Sequence, residues 1–134
     1  MAAKSAKGFR TLAIANALGA ALSVGSAVAG LIKPELALPG ASGNALSGIY
    51  TQAYVARAVP LGLAVLWLLA TRHRALKPAL VLAGVVQAGD SAIGLAHHNS
   101  GMTAGAAAAA MLHLGSAWWL ARADRTAAPA PAAA

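Results

Sequence analysis

Four polar side chains within otherwise apolar segments have the chemistry for acid–base catalysis or ligand binding: Arg57, Asp90, His113 and Tyr54. Asp90 is one of only three acidic residues in the chain, and it stands in the apolar stretch GVVQAGDSAIGLAHH, residues 84–98. A carboxylate can serve as a general base or nucleophile, and a tyrosine hydroxyl or a protonated imidazole can serve as a general acid. A guanidinium would supply the counter-charge that keeps the carboxylate ionised.

These residues belong to four apolar segments, which run roughly over 11–32, 46–70, 78–96 and 102–121. Hydrophobic residues make up 59% of the 134 residues, charged residues only 10%, and the mean hydropathy is +0.66. A soluble domain of this length would need more polar surface. Each segment is long enough to cross a hydrocarbon core of about 30 Å. We therefore predict an all-α fold, a four-helix transmembrane bundle whose partner is the lipid bilayer.

The basic residues gather in the connections that would share one side of the membrane. The net charge is +7, and eight of the ten Lys and Arg precede the first segment, join the second to the third or follow the fourth: Lys4, Lys7, Arg10, Arg72, Arg74, Lys77, Arg122 and Arg125. Because basic residues collect on cytoplasmic loops, both termini are predicted to be cytoplasmic, N-in and C-in. A nucleic-acid-binding protein would gather cations and stacking aromatic residues on one folded face, so no nucleic acid partner is expected.

Breaker residues and charges divide the chain into three regions. Residues 1–10 form a basic cytoplasmic N-terminus, 11–121 the membrane domain, and 122–134 a low-complexity cytoplasmic tail that we expect to be disordered. Within the membrane domain, KPELALPGASGN (33–44) is an outward loop and TRHRALKP (71–78) a tight basic turn. HHNSG (97–101) is a short outward turn that makes the third and fourth helices an antiparallel hairpin.

A signal peptide is an alternative interpretation of the N-terminus, with AVAG (27–30) as the small-residue cleavage site. The apolar run from Leu12 to Ile32 is longer than the usual apolar region of about 7–15 residues. Asn16 and several small residues also recur on one face of this run, which suits packing against another membrane helix. A retained first helix is therefore the preferred interpretation.

An isolated charge at the centre of a bilayer costs at least about 2.5–3.5 kcal/mol, so intramembrane ionisable groups normally pair. Asp90 is the only acidic residue within an apolar segment and Arg57 the only basic one, which predicts an ion pair between them. This pair has two interpretations. It either fixes helix register, as buried polar groups can, or it forms part of a functional site.

Other polar residues fall on the same helical faces as this pair. Tyr50, Tyr54 and Arg57 follow an i, i+4, i+7 pattern. On the third helix Gln87, Asp90 and His97 share a face. We assign Asp90, Arg57, His113 and Tyr54 as candidate catalytic residues, and Tyr50, Gln87, His97 and Asn16 as candidate ligand-binding residues. The motifs of serine hydrolases, zincins and nucleotide-binding proteins do not occur, and we expect no metal site and no cofactor.

The stretch YVARAVPLGLAVLWLLATRHRALKPALVLAGVVQAGDSAIGLAHH, followed by a helix with an inward histidine, resembles the small four-helix DoxX-like membrane proteins. The resemblance covers about residues 45–121. Its core is an Arg early in helix two, a Gly-Asp late in helix three and a His in helix four, which correspond to Arg57, Gly89–Asp90 and His113. The branch that the chain is most similar to is widespread in bacteria and in fungal gene clusters and has no settled activity. The resemblance implies a four-helix bundle.

We therefore expect a small integral membrane protein, multi-pass in a bacterial inner membrane, whose polar site binds a lipophilic small molecule. The alternative is a membrane-embedded acid–base enzyme, of the epoxide hydrolase, cyclase or isomerase type, acting on a lipophilic biosynthetic intermediate. A homo-oligomer is compatible with either function. A transporter is less favoured, because four short helices enclose little pathway unless the protein oligomerises.

Overall fold

A computed structural model describes residues 2–33 and 45–127, and the regular structure in those residues is α-helical. The helices are α1 (Ala2–Ile32), α2 (Ala45–Thr71), α3 (Leu76–Ala96) and α4 (Ser100–Ala127). The predicted all-α class is confirmed, with four helices in the described residues. The chain divides into two compact units, a first hairpin in which α1 packs against α2 and a second in which α3 packs against α4.

Three of the described helices are long and apolar enough to cross a membrane: Ala6–Ile32, Gly48–Thr71 and Leu76–Ala96. The expected fourth span, in α4, is not among them. Helix α4 has ample length at 28 residues, but most of its apolar residues are alanines, and Thr103, His113 and Ser116 interrupt them. Helix α1 contains as many alanines and is long and apolar enough to span, so the polar residues within α4 explain the difference.

The helices extend beyond the limits expected from the sequence. Helix α1 begins at Ala2, so Lys7 and Arg10 lie on its first turns, and α4 continues to Ala127 instead of ending at residue 121. Pro78 stands in the first turn of α3, where its missing N–H has no helical partner to lose. The outward loop expected at 33–44 lies outside the described residues apart from Lys33, as do residues 128–134 of the expected tail.

Within the first hairpin, buried residues recur at intervals of three, four and seven along both helices. They are Leu12, Asn16, Ala20 and Ala27 on α1, and Thr51, Ala58, Val65, Leu68 and Leu69 on α2. This spacing keeps a single stripe of each helix against its partner. Gly62 allows a close approach, because a Cβ atom there would lie 2.5 Å from Val24 Cγ2 and 3.4 Å from the Ala20 carbonyl oxygen.

Glycine brings α3 and α4 of the second hairpin into closer contact. A Cβ atom at Gly94 would lie 2.7 Å from the backbone nitrogen of Thr103, and one at Gly84 would lie 2.5 Å from Leu114 Cγ. Small residues at such positions let helix backbones approach one another. The buried stripes around them are Leu76, Leu80, Ala83 and Asp90 on α3, and Ala106, Ala110, His113 and Ala117 on α4.

Helices α2 and α3 end in the same backbone motif, with a residue other than glycine in the left-handed conformation. Arg72 has φ 50° and His98 has φ 52°. After α2, the Arg72 N–H donates to the Leu69 oxygen and the His73 N–H to the Leu68 oxygen, and the equivalent bonds after α3 run from His98 to Leu95 and from Asn99 to Gly94. This pair of bonds defines the Schellman motif, which satisfies carbonyl groups at the helix end.

The expected turn at HHNSG is confirmed, and a side chain missed in the sequence caps the helix that follows it. The Asn99 side-chain oxygen accepts a hydrogen bond from the Met102 N–H at 3.0 Å, and the Asn99 carbonyl accepts from Thr103. An asparagine before the first turn is a preferred N-cap because it satisfies an otherwise unpaired helical N–H. At the other end of the hairpin Lys77 forms an ion pair with Asp124.

The close contact at Gly94 predicts that Gly94→Ala destabilises the protein. The added Cβ would collide with the backbone of α4, which cannot rotate away, and overpacking of this kind costs about 1–3 kcal/mol. Gly89→Ala is the matched control on the same helix, because a Cβ at Gly89 would meet no described atom within 4 Å. Thermal unfolding in detergent measures both variants. Equal melting temperatures for the two would contradict this account of the helix contact.

Candidate functional site

The second hairpin holds the buried carboxylate and the buried imidazole that the sequence singled out. Asp90 on α3 is 4% exposed and His113 on α4 is 3% exposed. Gln87, one turn before Asp90, is half-buried. The polar face predicted for α3 therefore turns inward at 87–94. Ser116 is buried one turn beyond His113 on α4.

The register of this hairpin places Asp90 and His113 at different levels. Gly94 faces Thr103 and Gly84 faces Leu114, so in an antiparallel hairpin Asp90 lies opposite residues near 107. His113 is then about six residues further along α4, which corresponds to roughly 9 Å along the axis. Gln87 lies between these two levels. The backbone positions of the two residues are thus offset by less than two helical turns.

Of the buried alanines on α4, Ala106 lies beside the level of Asp90, and Ala110 lies between the levels of Asp90 and His113. Ala106 and Ala110 are buried on the stripe that faces α3. Their small side chains make this part of the stripe apolar. Such an arrangement is typical of a ligand site that is mostly apolar, with a few polar groups that fix orientation. Within residues 2–33 and 45–127 no group of three or more acidic, His or Cys side chains is placed to hold a metal ion.

The first hairpin contains Arg57 and the two tyrosines. The Arg57 guanidinium carbon lies 5.5 Å from the centre of the Tyr54 ring, a cation–π contact along one face of α2. Tyr50 and Tyr54 are half-buried and Arg57 is exposed. The expected common face of Tyr54 and Arg57 is therefore present, but it lies beside the buried stripe of α2 and not at its centre.

Thr51 is the polar residue of α2 that the sequence analysis missed. It is 2% exposed and begins the stripe that continues through Ala58 and Val65. The seven-residue interval between these three positions is the signal that would have revealed it.

Asn16 is fully buried, but the structure places it away from the other candidates of the first hairpin. Its side-chain nitrogen donates a hydrogen bond of 2.9 Å to the carbonyl oxygen of Leu12, one turn earlier in α1. Arg72 lies over Phe9 and Gly62 faces Ala20 and Val24, so Arg57 is opposite residues near 27. That is about eleven residues, or roughly 16 Å, from Asn16.

His97 closes α3 and is exposed, as is His98 beside it. The face of α3 that contains Gln87 and Asp90 is therefore buried in the hairpin but becomes exposed at His97. Ser91, next to Asp90, donates a hydrogen bond of 3.0 Å to the Thr103 carbonyl and so joins α3 to α4. Of the eight predicted site residues, Asp90, Gln87 and His113 share the interior of one hairpin, and Tyr54 and Arg57 share a face of the other.

Comparisons of the chain with family models, with curated proteins and with solved structures find no match. The resemblance to DoxX-like proteins remains a prediction from the motif of Arg57, Gly89–Asp90 and His113.

Proposed function

We propose that this chain is a multi-pass protein of a bacterial inner membrane that binds a lipophilic small molecule at an intramembrane polar site. The site centres on Asp90 and His113, with Gln87 between them and Arg57 as the counter-charge. The observation that carries the proposal is the burial of a carboxylate and an imidazole in a hairpin that includes a helix apolar enough to span a membrane. Ionisable residues in such helices are rare and usually functional.

The chemistry around Asp90 favours a lipophilic ligand with a polar group. A molecule dissolved in the bilayer can reach a site within membrane helices without crossing water. The buried stripe around Ala106 and Ala110 is apolar, while the carboxylate and imidazole would offer hydrogen bonds. A hydroxyl, carbonyl or epoxide oxygen on an otherwise apolar molecule would satisfy both requirements.

Arg57 is proposed as the counter-charge on energetic grounds. Its contact with Tyr54 contributes about 0.5–2 kcal/mol, whereas a charge within the bilayer costs at least about 2.5–3.5 kcal/mol. A carboxylate offsets this cost better than an aromatic ring does, because it neutralises the charge and accepts two hydrogen bonds. Asp90 is the one carboxylate among the three candidate spans.

The second candidate function is an acid–base enzyme acting on a lipophilic intermediate such as an epoxide. The observation that favours it is the presence of a buried carboxylate and a buried imidazole in one hairpin. Asp90 would take a proton from water as the water oxygen attacks an epoxide carbon, and the carbon–oxygen bond of the ring would break. Protonated His113 or Tyr54 would then give a proton to the departing oxygen.

Loss of the Asp90 charge tests the ligand site. We expect Asp90→Asn to weaken retention of a co-purified lipophilic molecule about tenfold or more, because a hydrogen bond to a charged group contributes about 1.5–3 kcal/mol. Extraction of the purified protein followed by mass spectrometry measures retention. Asp124→Asn is the matched control, since it removes an exposed carboxylate from the same hairpin. Equal retention by both variants would contradict a ligand site at Asp90. Conversion of an added epoxide by the wild-type protein would instead favour the enzyme.

A double-mutant cycle on Arg57 and Asp90 tests the counter-charge. Arg57→Met and Asp90→Leu would each leave the other charge without its proposed counter-charge in an apolar helix, where a lone charge costs at least about 2.5–3.5 kcal/mol. The double variant removes both charges and should be more stable than the sum of the single effects predicts. Thermal unfolding in detergent gives the four stabilities. Additivity within about 0.5 kcal/mol would show that the two side chains do not interact.

The orientation of the termini tests whether α4 completes a fourth crossing. With four crossings, a fluorescent protein fused after residue 134 should report the cytoplasm, and alkaline phosphatase inserted in the turn at 97–99 should be active outside. A cytoplasmic C-terminus is expected because the Lys and Arg residues gather in the connections on that side. A C-terminal fusion that reports the outer side would instead mean an odd number of crossings, with α4 outside the bilayer.

A further inference from the structure

One end of the first hairpin concentrates positive charge. The guanidinium carbon of Arg72 lies 4.9 Å from the centre of the Phe9 ring, which brings the end of α2 to the beginning of α1. Four exposed cations gather there, and we call them the basic end: Lys7, Arg10, Arg72 and Arg74. Lys33, which directly follows α1, stands at the opposite end of that helix.

The described part of the first hairpin has no carboxylate side chain to offset the basic end. Residues 2–33 and 45–74 contain no Asp and no Glu. The second hairpin differs, because its Lys77 pairs with Asp124 at the open end of α3 and α4. Among its described residues, the first hairpin therefore presents a cluster of cations without a carboxylate beside them.

Aromatic side chains lie at the same level as these cations. Phe9 is half-buried beneath Arg72, and Trp67 is 59% exposed, with its ring centre 5.7 Å from that of His73. Tryptophan side chains of membrane proteins concentrate at the level of the lipid headgroups. Arg72 also holds the left-handed position that glycine usually takes after a helix, and there its side chain crosses to α1.

We propose that the basic end binds the phosphate groups of anionic phospholipids. Its positive charge complements those headgroups, and Trp67 and Phe9 place it where the headgroups meet the acyl chains. This inference rests on the membrane location in the proposed function and not on the ligand site at Asp90. A free phosphate ion shares the headgroup chemistry but lacks the acyl chains that the apolar surface of α1 and α2 would contact.

Lipid selectivity tests this proposal. The full chain is reconstituted in phosphatidylcholine bilayers, and electron paramagnetic resonance measures its association with spin-labelled phosphatidylglycerol and spin-labelled phosphatidylcholine. We expect selectivity for phosphatidylglycerol, and we expect Arg72→Gln to reduce it about fivefold, which corresponds to about 1 kcal/mol for each cation near the surface. Arg72→Lys should retain most of the selectivity, because the charge is kept. Lys7→Gln removes a cation of the basic end from α1 and should reduce the selectivity as well.

Lys33→Gln is the matched control, since it removes an exposed cation from the opposite end of the same helix. The proposal expects this variant to keep the wild-type selectivity. Equal association of both lipids with the wild-type protein would overturn it, and so would an equal loss in Lys33→Gln and Arg72→Gln. Competition by inorganic phosphate that abolishes the selectivity would assign the basic end to a free anion and overturn the lipid assignment. The selectivity for phosphatidylglycerol is expected even if Asp90→Asn does not weaken ligand retention, so the two proposals can fail separately.

Discussion

A polar group inside an apolar helix must be matched by other polar groups of the protein, because lipid tails and alkyl side chains cannot solvate it. This constraint governs the few polar residues that the chain places within its helices. Asn16 donates to the carbonyl of its own helix one turn earlier, and Ser91 donates to the backbone of α4. Asp90 and His113 are ionisable, and a single neutral hydrogen bond matches such groups poorly. The burial of these two groups therefore favours a functional role for them.

Small residues make this arrangement of helices feasible. Gly94 allows the backbone of α4 to approach α3 beside the Ser91 hydrogen bond, and Gly84 admits Leu114 a few turns away. Alanines on α4 then face the segment that carries Asp90. The apolar contacts between such helices are individually weak, so their stability depends on how closely the backbones fit.

The two hairpins treat charge differently at the ends where basic residues gather. In the second hairpin, Lys77 pairs with Asp124, and Arg122 lies over the ring of Trp118. In the first, Arg72 lies over Phe9 and His73 beside Trp67. Exposed pairs of these kinds contribute little to stability, about 1 kcal/mol or less each. Within each hairpin they place a cation and an aromatic ring at the same level, which suits an interface between water and lipid.

The sequence alone determined the helical class, three of the four apolar helices that it predicted to span the membrane, the turn at HHNSG and the inward face of α3 around Asp90. Those features follow from local periodicity and composition, which a single helix or turn already expresses. Tertiary structure decided that Thr51 is buried while Arg57 is exposed, and that Asp90 and His113 lie about 9 Å apart along the hairpin axis. Periodicity specifies which residues share a face, but the register between two helices depends on which side chains and glycines fit together across the contact.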